Sequence, residues 1–167
     1  MGLYNFGNRL KNEYKKRCHV SLTMNYISLF NKIVDENLSD VVILEDDTIY
    51  DINELSNLKA NVDGIVYLTN RFYNQMISKG KIPVPDNLVN GINCKGNYYL
   101  STGGIYIKNP KIAKELLDNI MIDGKYFHYA IDICLMRAIE HNKLPCYLVY
   151  PSIVKMNKKY KSIIGKK

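Results

Sequence analysis

The chain has no tryptophan, few prolines and only four cysteines among its 167 residues. The cysteines stand at positions 18, 94, 134 and 146, and none is part of a Cys-x-x-Cys pair. This spacing argues against a zinc site and favours reduced thiols. No apolar run approaches the roughly 20 residues of a membrane-spanning helix, and the first residues lack the apolar segment of a signal peptide. We therefore expect a cytoplasmic protein without stable membrane insertion.

The composition is that of a globular domain. Hydrophobic residues make up 47% of the chain and charged residues 23%, which is ordinary for a folded protein. Patterns typical of strands alternate with patterns typical of helices, and the sequence contains no internal repeat or linker. These features predict a single α/β domain over residues 1–167.

The net charge of +7 is concentrated near the two ends of the chain. They form a basic N-terminal segment, residues 1–17, and a basic C-terminal tail, residues 152–167. Such segments bind nucleic acid, an anionic membrane surface or the pyrophosphate of a sugar nucleotide, or they only improve solubility. No nucleic-acid-binding module accompanies them, so nucleic acid is a less favoured partner.

Residues 41–47, Val-Val-Ile-Leu-Glu-Asp-Asp, join four aliphatic side chains to three carboxylates. The aliphatic run predicts a central strand buried on both faces of a parallel or mixed sheet. Ligands of such sheets bind beyond the carboxyl ends of the strands, so we expect Glu45, Asp46 and Asp47 at the rim of a cleft. Neighbouring carboxylates suit a divalent cation that carries a phosphorylated substrate. The alternative is a solvated acidic turn in which Asp46 or Asp47 caps the next element.

The first helix is predicted from apolar residues at helical spacing. It covers residues 21–37 and turns its apolar stripe toward the sheet. The members of that stripe are Val20, Met24, Ile27, Phe30 and Val34.

Capping residues, turn residues and periodicity predict the later elements. They are a short helix from Asp51 to about Leu58, a strand over 65–68, a helix from Asn109 to about Asn119, a helix over 126–140 and a strand over 144–150. Residues 71–79 are predicted as a short helix or a loop, and residues 80–96 as an irregular active-site loop. The helix over 126–140 carries His128 and Asp132 four residues apart and so on one face.

A stretch of small residues, Ser101-Thr102-Gly103-Gly104, interrupts the strand-like residues 98–108. Small residues between two strand patterns predict that a ligand approaches the backbone closely at this place. A bulge or a turn of the chain itself is the alternative explanation.

Several of these pieces, in this order, resemble glycosyltransferase family 25, which includes lipopolysaccharide-modifying and collagen glycosyltransferases. The most specific match is Ile43-Leu-Glu-Asp-Asp47, which is similar to the family signature almost letter for letter. Weaker similarities are Cys18-His-Val-Ser21, Asp63-Gly-Ile-Val-Tyr-Leu68, Ser101-Thr-Gly-Gly-Ile-Tyr-Ile107, Asp132, Pro151 and Ser162-Ile163. The resemblance extends over residues 17–164.

The resemblance implies a GT-A fold, which is a single-domain mixed α/β sheet flanked by helices. It also implies a nucleotide-sugar donor with UDP as the expected nucleotide, a hydroxyl acceptor on a glycan or a protein, and Mn²⁺ or Mg²⁺ as cofactor. The expected metal ligands are Asp47 and Asp46. The expected donor-binding residues are Glu45, Asp46, Thr102, Gly103 and Gly104, to which positive charge alone adds Lys155 and Lys158.

Asp132 resembles an acidic position in the family and is the expected catalytic residue on the acceptor side. In an inverting transferase such a carboxylate takes the proton of the acceptor hydroxyl, and in a retaining enzyme it positions the acceptor. The sequence leaves the two outcomes open.

The N-terminus departs from the family pattern. Relatives begin with a strand of the form Ile-Asn-Leu followed by basic residues, which helps to bind the nucleoside. Here Arg17 stands in place of the family's glycine before Cys18, and Leu22 stands in place of its histidine after Ser21. The resemblance therefore implies a shortened member without the usual first nucleotide-binding strand.

Three hypotheses of different classes follow. The first is a metal-dependent glycosyltransferase, in particular a hexosyltransferase. The second is a GT-A-derived module that binds a sugar or a nucleotide without turnover. The third is a basic protein that binds nucleic acid through its ends, with a purely structural acidic cluster. Whether the chain forms a homo-oligomer stays open.

Overall fold

A computed structural model describes residues 2–58, 63–69, 79–80, 102–120, 130–142, 144–149, 151–157 and 159, with the backbone alone for residues 2–16 and 140–142. The helices are α1 (Gly2–Asp35), α2 (Ile52–Ser56), α3 (Pro110–Ile120) and α4 (Ile131–Asn142). The strands are β1 (Val41–Leu44), β2 (Thr48–Tyr50), β3 (Ile65–Tyr67), β4 (Gly104–Ile107), β5 (Cys146–Leu148) and β6 (Val154–Met156). These elements confirm the mixed α/β class.

The main sheet has four strands in the order β1-β4-β3-β5. Strand β4 is antiparallel to both of its neighbours, whereas β3 and β5 are parallel, so the sheet is mixed. Strands β2 and β6 pair antiparallel with each other and form a separate two-stranded ribbon.

The prediction that β1 is a central strand is wrong, although its bounds are as expected. Within the described sheet β1 lies at an edge and pairs with β4 alone. Only Ile43 is fully buried, but alternate residues of β1 contact different apolar clusters, Val41 and Ile43 on one face and Val42 and Leu44 on the other. Apolar neighbours on both faces require the same aliphatic run at an edge as in the centre.

The first helix begins earlier than predicted, and the face it turns to the core includes Ile27 and Phe30 of the predicted stripe but not Val20 and Met24. Helix α1 starts at Gly2, so most of the basic N-terminal segment is helical, and it ends before Asn37, which has the positive φ of a helix C-terminus. Val20 and Met24 of the predicted stripe are 39% and 49% exposed. The buried residues on this helix are Thr23, Tyr26, Ile27, Phe30 and Ile33.

The signals for the starts of the short helices are largely confirmed. Asp51 caps α2, accepting a hydrogen bond from the Asn53 N–H at 2.8 Å. Asn109 accepts one from the Ile112 N–H at 3.2 Å, just before Pro110 opens α3. Helix α4, however, begins only at Ile131, since Ala130 lies outside it.

The β2–β6 ribbon was not predicted, and its second strand lies in the basic C-terminal tail. Each strand has three residues, too few for an alternation of polar and apolar side chains to be visible. Val154 is buried against the main sheet, whereas its neighbour Lys155 and the cross-strand Ile49 are exposed.

Other predictions fall mainly outside the described residues. They concern the helix or loop at 71–79, the loop at 80–96, the strand residues 98–101, His128 and Lys158. The three described cysteines, Cys18, Cys134 and Cys146, take part in no disulfide bond. None of the helices in the described ranges combines the length and apolar character needed to cross a membrane.

Gly64 is required where β3 and β5 begin side by side. The Ile65 N–H donates to the Pro145 carbonyl at 3.0 Å, and a Cβ added at Gly64 would lie 2.1 Å from that carbonyl oxygen. A side chain here would force the two parallel strands apart.

We therefore expect Gly64→Ala to lower the free energy of unfolding by about 1–3 kcal/mol, the usual cost of overpacking. Urea unfolding measures this loss. The control is Gly80→Asn, because Gly80 has φ +65° with open space around it and asparagine tolerates that conformation. The control should change stability by no more than about 0.5 kcal/mol. Equal stability of both variants would contradict the contact at Pro145.

Candidate functional site

The register of β1 and β4 brings two predicted site segments together. Leu44 pairs with Gly104 in the antiparallel ladder, so the residue after β1 meets the residues before β4. The Glu45 N–H accordingly donates to the Gly103 carbonyl at 3.1 Å. Glu45 therefore lies beside Thr102 and Gly103, which the sequence analysis assigned to the same site.

A chain of two hydrogen bonds holds the side chain of Glu45. The Thr102 hydroxyl donates to Glu45 Oε1 at 2.6 Å, and the Tyr26 hydroxyl donates to the Thr102 carbonyl at 2.8 Å. Tyr26 and Thr102 are buried, with 2% and 7% exposure. This Tyr26–Thr102–Glu45 chain connects helix α1 to the end of β1.

Three further carboxylates lie near enough to Glu45 to affect it. Burial raises the pKa of Glu45 most, and the charges of Asp47, Asp46 and Asp132 raise it further, while the Thr102 hydrogen bond lowers it. Asp132, in the first turn of α4, thus joins the three carboxylates after β1. In the described part of the chain no lysine or arginine forms an ion pair with these carboxylates.

The turn after β1 is closed by Thr48. Its N–H and hydroxyl donate to the Glu45 carbonyl at 3.2 and 2.6 Å, so the expected alternative of capping by Asp46 or Asp47 is not what closes this turn. Asp46 is exposed, whereas Asp47 is partly buried and its Oδ1 is a buried atom without a hydrogen-bond partner. A buried carboxylate oxygen without a partner is unfavourable, so Asp47 gains from any cation or donor that reaches it.

The residues present suit a metal ion whose ligands come partly from the protein and partly from a bound substrate. Among the described residues no group of three or more His, Cys, Asp or Glu side chains is arranged to hold a metal ion. Mg²⁺, however, is commonly bound by one or two carboxylates together with substrate phosphates rather than by a complete protein cage. Asp46 and Asp47 offer hard oxygen donors of this kind.

Gly103 and Gly104 are packed against the chain itself. An added Cβ would lie 2.9 Å from Met156 Sδ at Gly103 and 3.1 Å from the Val154 methyl groups at Gly104. The β2–β6 ribbon therefore crosses the entry of β4 closely, which favours small residues at both positions. Contact of these glycines with a donor sugar stays a prediction.

Lys155 lies on the outer side of the ribbon. It is the cross-strand partner of the exposed Ile49, whereas Val154 and Met156 on either side of it face the two glycines. Because side chains alternate along a strand, Lys155 projects away from Gly103 and Gly104. Lys158, the other lysine expected at the donor, lies outside the described residues.

Two residues of this site were not predicted from the sequence. Tyr26 is not included in the predicted apolar stripe, although Tyr26, Phe30 and Ile33 follow one another at helical spacing. Thr48 follows the acidic run directly. Threonine hydroxyls can close a turn by donating to the carbonyl three residues earlier, here that of Glu45.

No model of a known protein family matches the sequence, and no curated protein matches it at a significant level. The similarity to glycosyltransferase family 25 thus depends on the motifs alone.

The electrostatics of Glu45 predict how stability changes with pH. Since its pKa is raised above the ordinary value of 4.5, the folded protein binds this proton more tightly than the unfolded chain. The contribution of Glu45 to stability is therefore present in full below that value and is lost as the pH rises through the raised pKa.

We expect Glu45→Gln to remove this loss, because the amide keeps an oxygen for Thr102 but carries no charge. Relative to wild type, the variant should gain stability as the pH rises from about 4 to 8. Urea unfolding at several pH values, with a chelator present, measures the difference. A wild-type protein that gains on the variant over the same range would contradict the raised pKa.

Proposed function

We propose that this protein is a metal-dependent glycosyltransferase that moves a sugar from a nucleotide-sugar donor to a hydroxyl acceptor. The observation that carries the proposal is the grouping of Asp46, Asp47 and Asp132 near the partly buried carboxylate of Glu45. In the described chain these carboxylates have no cationic partner, and Asp47 Oδ1 has no hydrogen-bond donor. Such a site favours a cation that arrives with an anionic substrate.

On the donor side, Asp47 and Asp46 would hold Mn²⁺ or Mg²⁺. When bound, the metal would neutralise negative charge on the departing diphosphate as a Lewis acid. Glu45 is fixed by Thr102 and by the Gly103 carbonyl, so it presents its carboxylate in one orientation at the same edge. A GT-A fold is the finer form of the observed mixed α/β architecture that this function implies.

On the acceptor side, Asp132 would bind the reacting hydroxyl. It lies in the first turn of α4, where its Oδ1 accepts a hydrogen bond from the Ile133 N–H at 2.9 Å. A carboxylate held by a helix can take the hydroxyl proton as a general base, or it can orient the hydroxyl without taking the proton. Stereochemical analysis of the product would decide between these roles.

A second candidate is a module that binds a sugar or a nucleotide without turnover. The observation that favours it is helix α1, since Gly2–Asp35 is helical where the family has its first nucleotide-binding strand. A site without that strand would have fewer contacts with the nucleoside. Sugar release from UDP-sugars separates an enzyme from a binding module.

We expect UDP to raise the unfolding temperature only when Mn²⁺ is present. At 100 times its dissociation constant the ligand should stabilise the protein by ~2.7 kcal/mol, which is about 5–10 °C for a chain of this size. Asp47→Asn should abolish the shift because it removes the charge of the expected metal ligand while keeping its size. Thermal unfolding with UDP, GDP and other nucleotides, with and without Mn²⁺, is the measurement.

The matched control is Asp118→Asn, which removes an exposed carboxylate on α3 that pairs with Lys114. It should keep the full metal-dependent shift. If no nucleotide changes the unfolding temperature of wild type, the donor site is absent. Binding of RNA or DNA with a steep salt dependence would instead favour the nucleic-acid hypothesis.

A further inference from the structure

We infer that Tyr26 is a positioning residue for the candidate site, acting on Glu45 through the Tyr26–Thr102–Glu45 chain. The consequence for ligand binding rests on the function proposed above. The structural part, that the Tyr26 hydroxyl sets the place of residues 102–103 and hence of Glu45, stands on the hydrogen bonds alone.

Packing holds the ring of Tyr26 in place independently of the hydrogen bond made by its hydroxyl. The side chain is 2% exposed and meets Phe30 edge-to-face, with ring centroids 5.9 Å apart. From this fixed ring the hydroxyl donates to the Thr102 carbonyl, 76 positions further along the chain. A buried hydroxyl of this kind needs its partner, because neither group would be compensated by water.

Residues 102–103 hold Glu45 at two atoms. The Thr102 hydroxyl donates to the carboxylate oxygen, and the Gly103 carbonyl accepts from the Glu45 N–H. A displacement of this short segment would therefore move both the backbone and the side chain of Glu45. Asp46 and Asp47 follow in the next two positions and would shift with it.

The β ladder does not fix this segment by itself. Strand β4 begins at Gly104, and the pair Leu44–Gly104 is the last one in its register with β1. Thr102 thus lies beyond the ladder, and the Tyr26 hydroxyl on helix α1 donates a hydrogen bond to its carbonyl. Tyr26 couples the position of the helix to the geometry of the carboxylates.

Tyr26→Phe isolates this role, because the ring and its contact with Phe30 stay while the hydroxyl is lost. The matched control is Tyr106→Phe, which removes a hydroxyl that donates to Asp40 Oδ1 at the opposite end of β1. Both variants lose one tyrosine hydroxyl bond, so a general loss of stability would affect them alike. Only Tyr26→Phe removes a hydrogen bond to residues 102–103.

The first measurement is amide hydrogen exchange by NMR on the full chain without ligand. We expect Tyr26→Phe to speed exchange of the Glu45 amide, which is bonded to Gly103, about tenfold. The Asp40 amide, bonded to the Lys108 carbonyl at the other end of β1, should keep its wild-type rate. Unchanged exchange at Glu45, or equal changes at both amides, overturns the inference.

The second measurement is the affinity for UDP with Mn²⁺. Tyr26→Phe should weaken binding about tenfold, and Tyr106→Phe should leave it unchanged. Thr102→Val, which removes the hydroxyl that donates to Glu45, should weaken binding and reduce the further effect of losing the Tyr26 hydroxyl. If losing the Tyr26 hydroxyl and losing the Thr102 hydroxyl have fully additive effects on binding, the inference is overturned. If wild type binds no nucleotide while exchange at Glu45 responds as expected, the proposed function fails and the positioning role stands.

Discussion

The antiparallel pairing of β1 with β4 is the constraint on which the candidate site depends. Its last pair joins Leu44 to Gly104, and this register determines which residues can meet beyond the ladder. Glu45 then faces Thr102 and Gly103, although 57 positions separate Glu45 from Thr102 along the chain. A shift of one residue would exchange the faces of β1 and separate the carboxylate from its hydroxyl donor. The apolar clusters on both sides of β1 oppose such a shift, so core packing fixes the chemistry at its end.

The same pairing forces an unfavourable concentration of negative charge. Glu45 loses solvation on burial and stands near the charges of Asp46, Asp47 and Asp132. The Thr102 hydroxyl offsets part of this cost. The overall charge of +7 offsets little more, because salt screens exposed charges beyond about 10 Å. A fold that has no catalytic or binding use for these carboxylates would gain stability from neutral residues here. The proposed function would give the cluster such a use, since a bound cation would offset its negative charge.

Local signals in the sequence predicted the ends of elements that carry capping or helix-breaking residues. The Asp51 cap, the Asn109-Pro110 start and the break at Asn37 all depend on residues within one helical turn. The carboxylate run also depends on adjacent residues, and it follows β1 directly, as predicted.

Features that depend on distant partners were missed or misjudged. Strand β6 exists because Val154 packs onto Gly104, and no property of three residues in a basic tail could reveal that contact. An aliphatic run reports apolar neighbours on both faces but not the number of paired strands, so β1 was placed in the centre. Tyr26 was overlooked because a tyrosine at a core position is informative only once its hydroxyl has a partner. All three cases have one cause: local patterns are compatible with several arrangements, and contacts between residues far apart in the chain determine which one forms. The candidate site is built from such contacts.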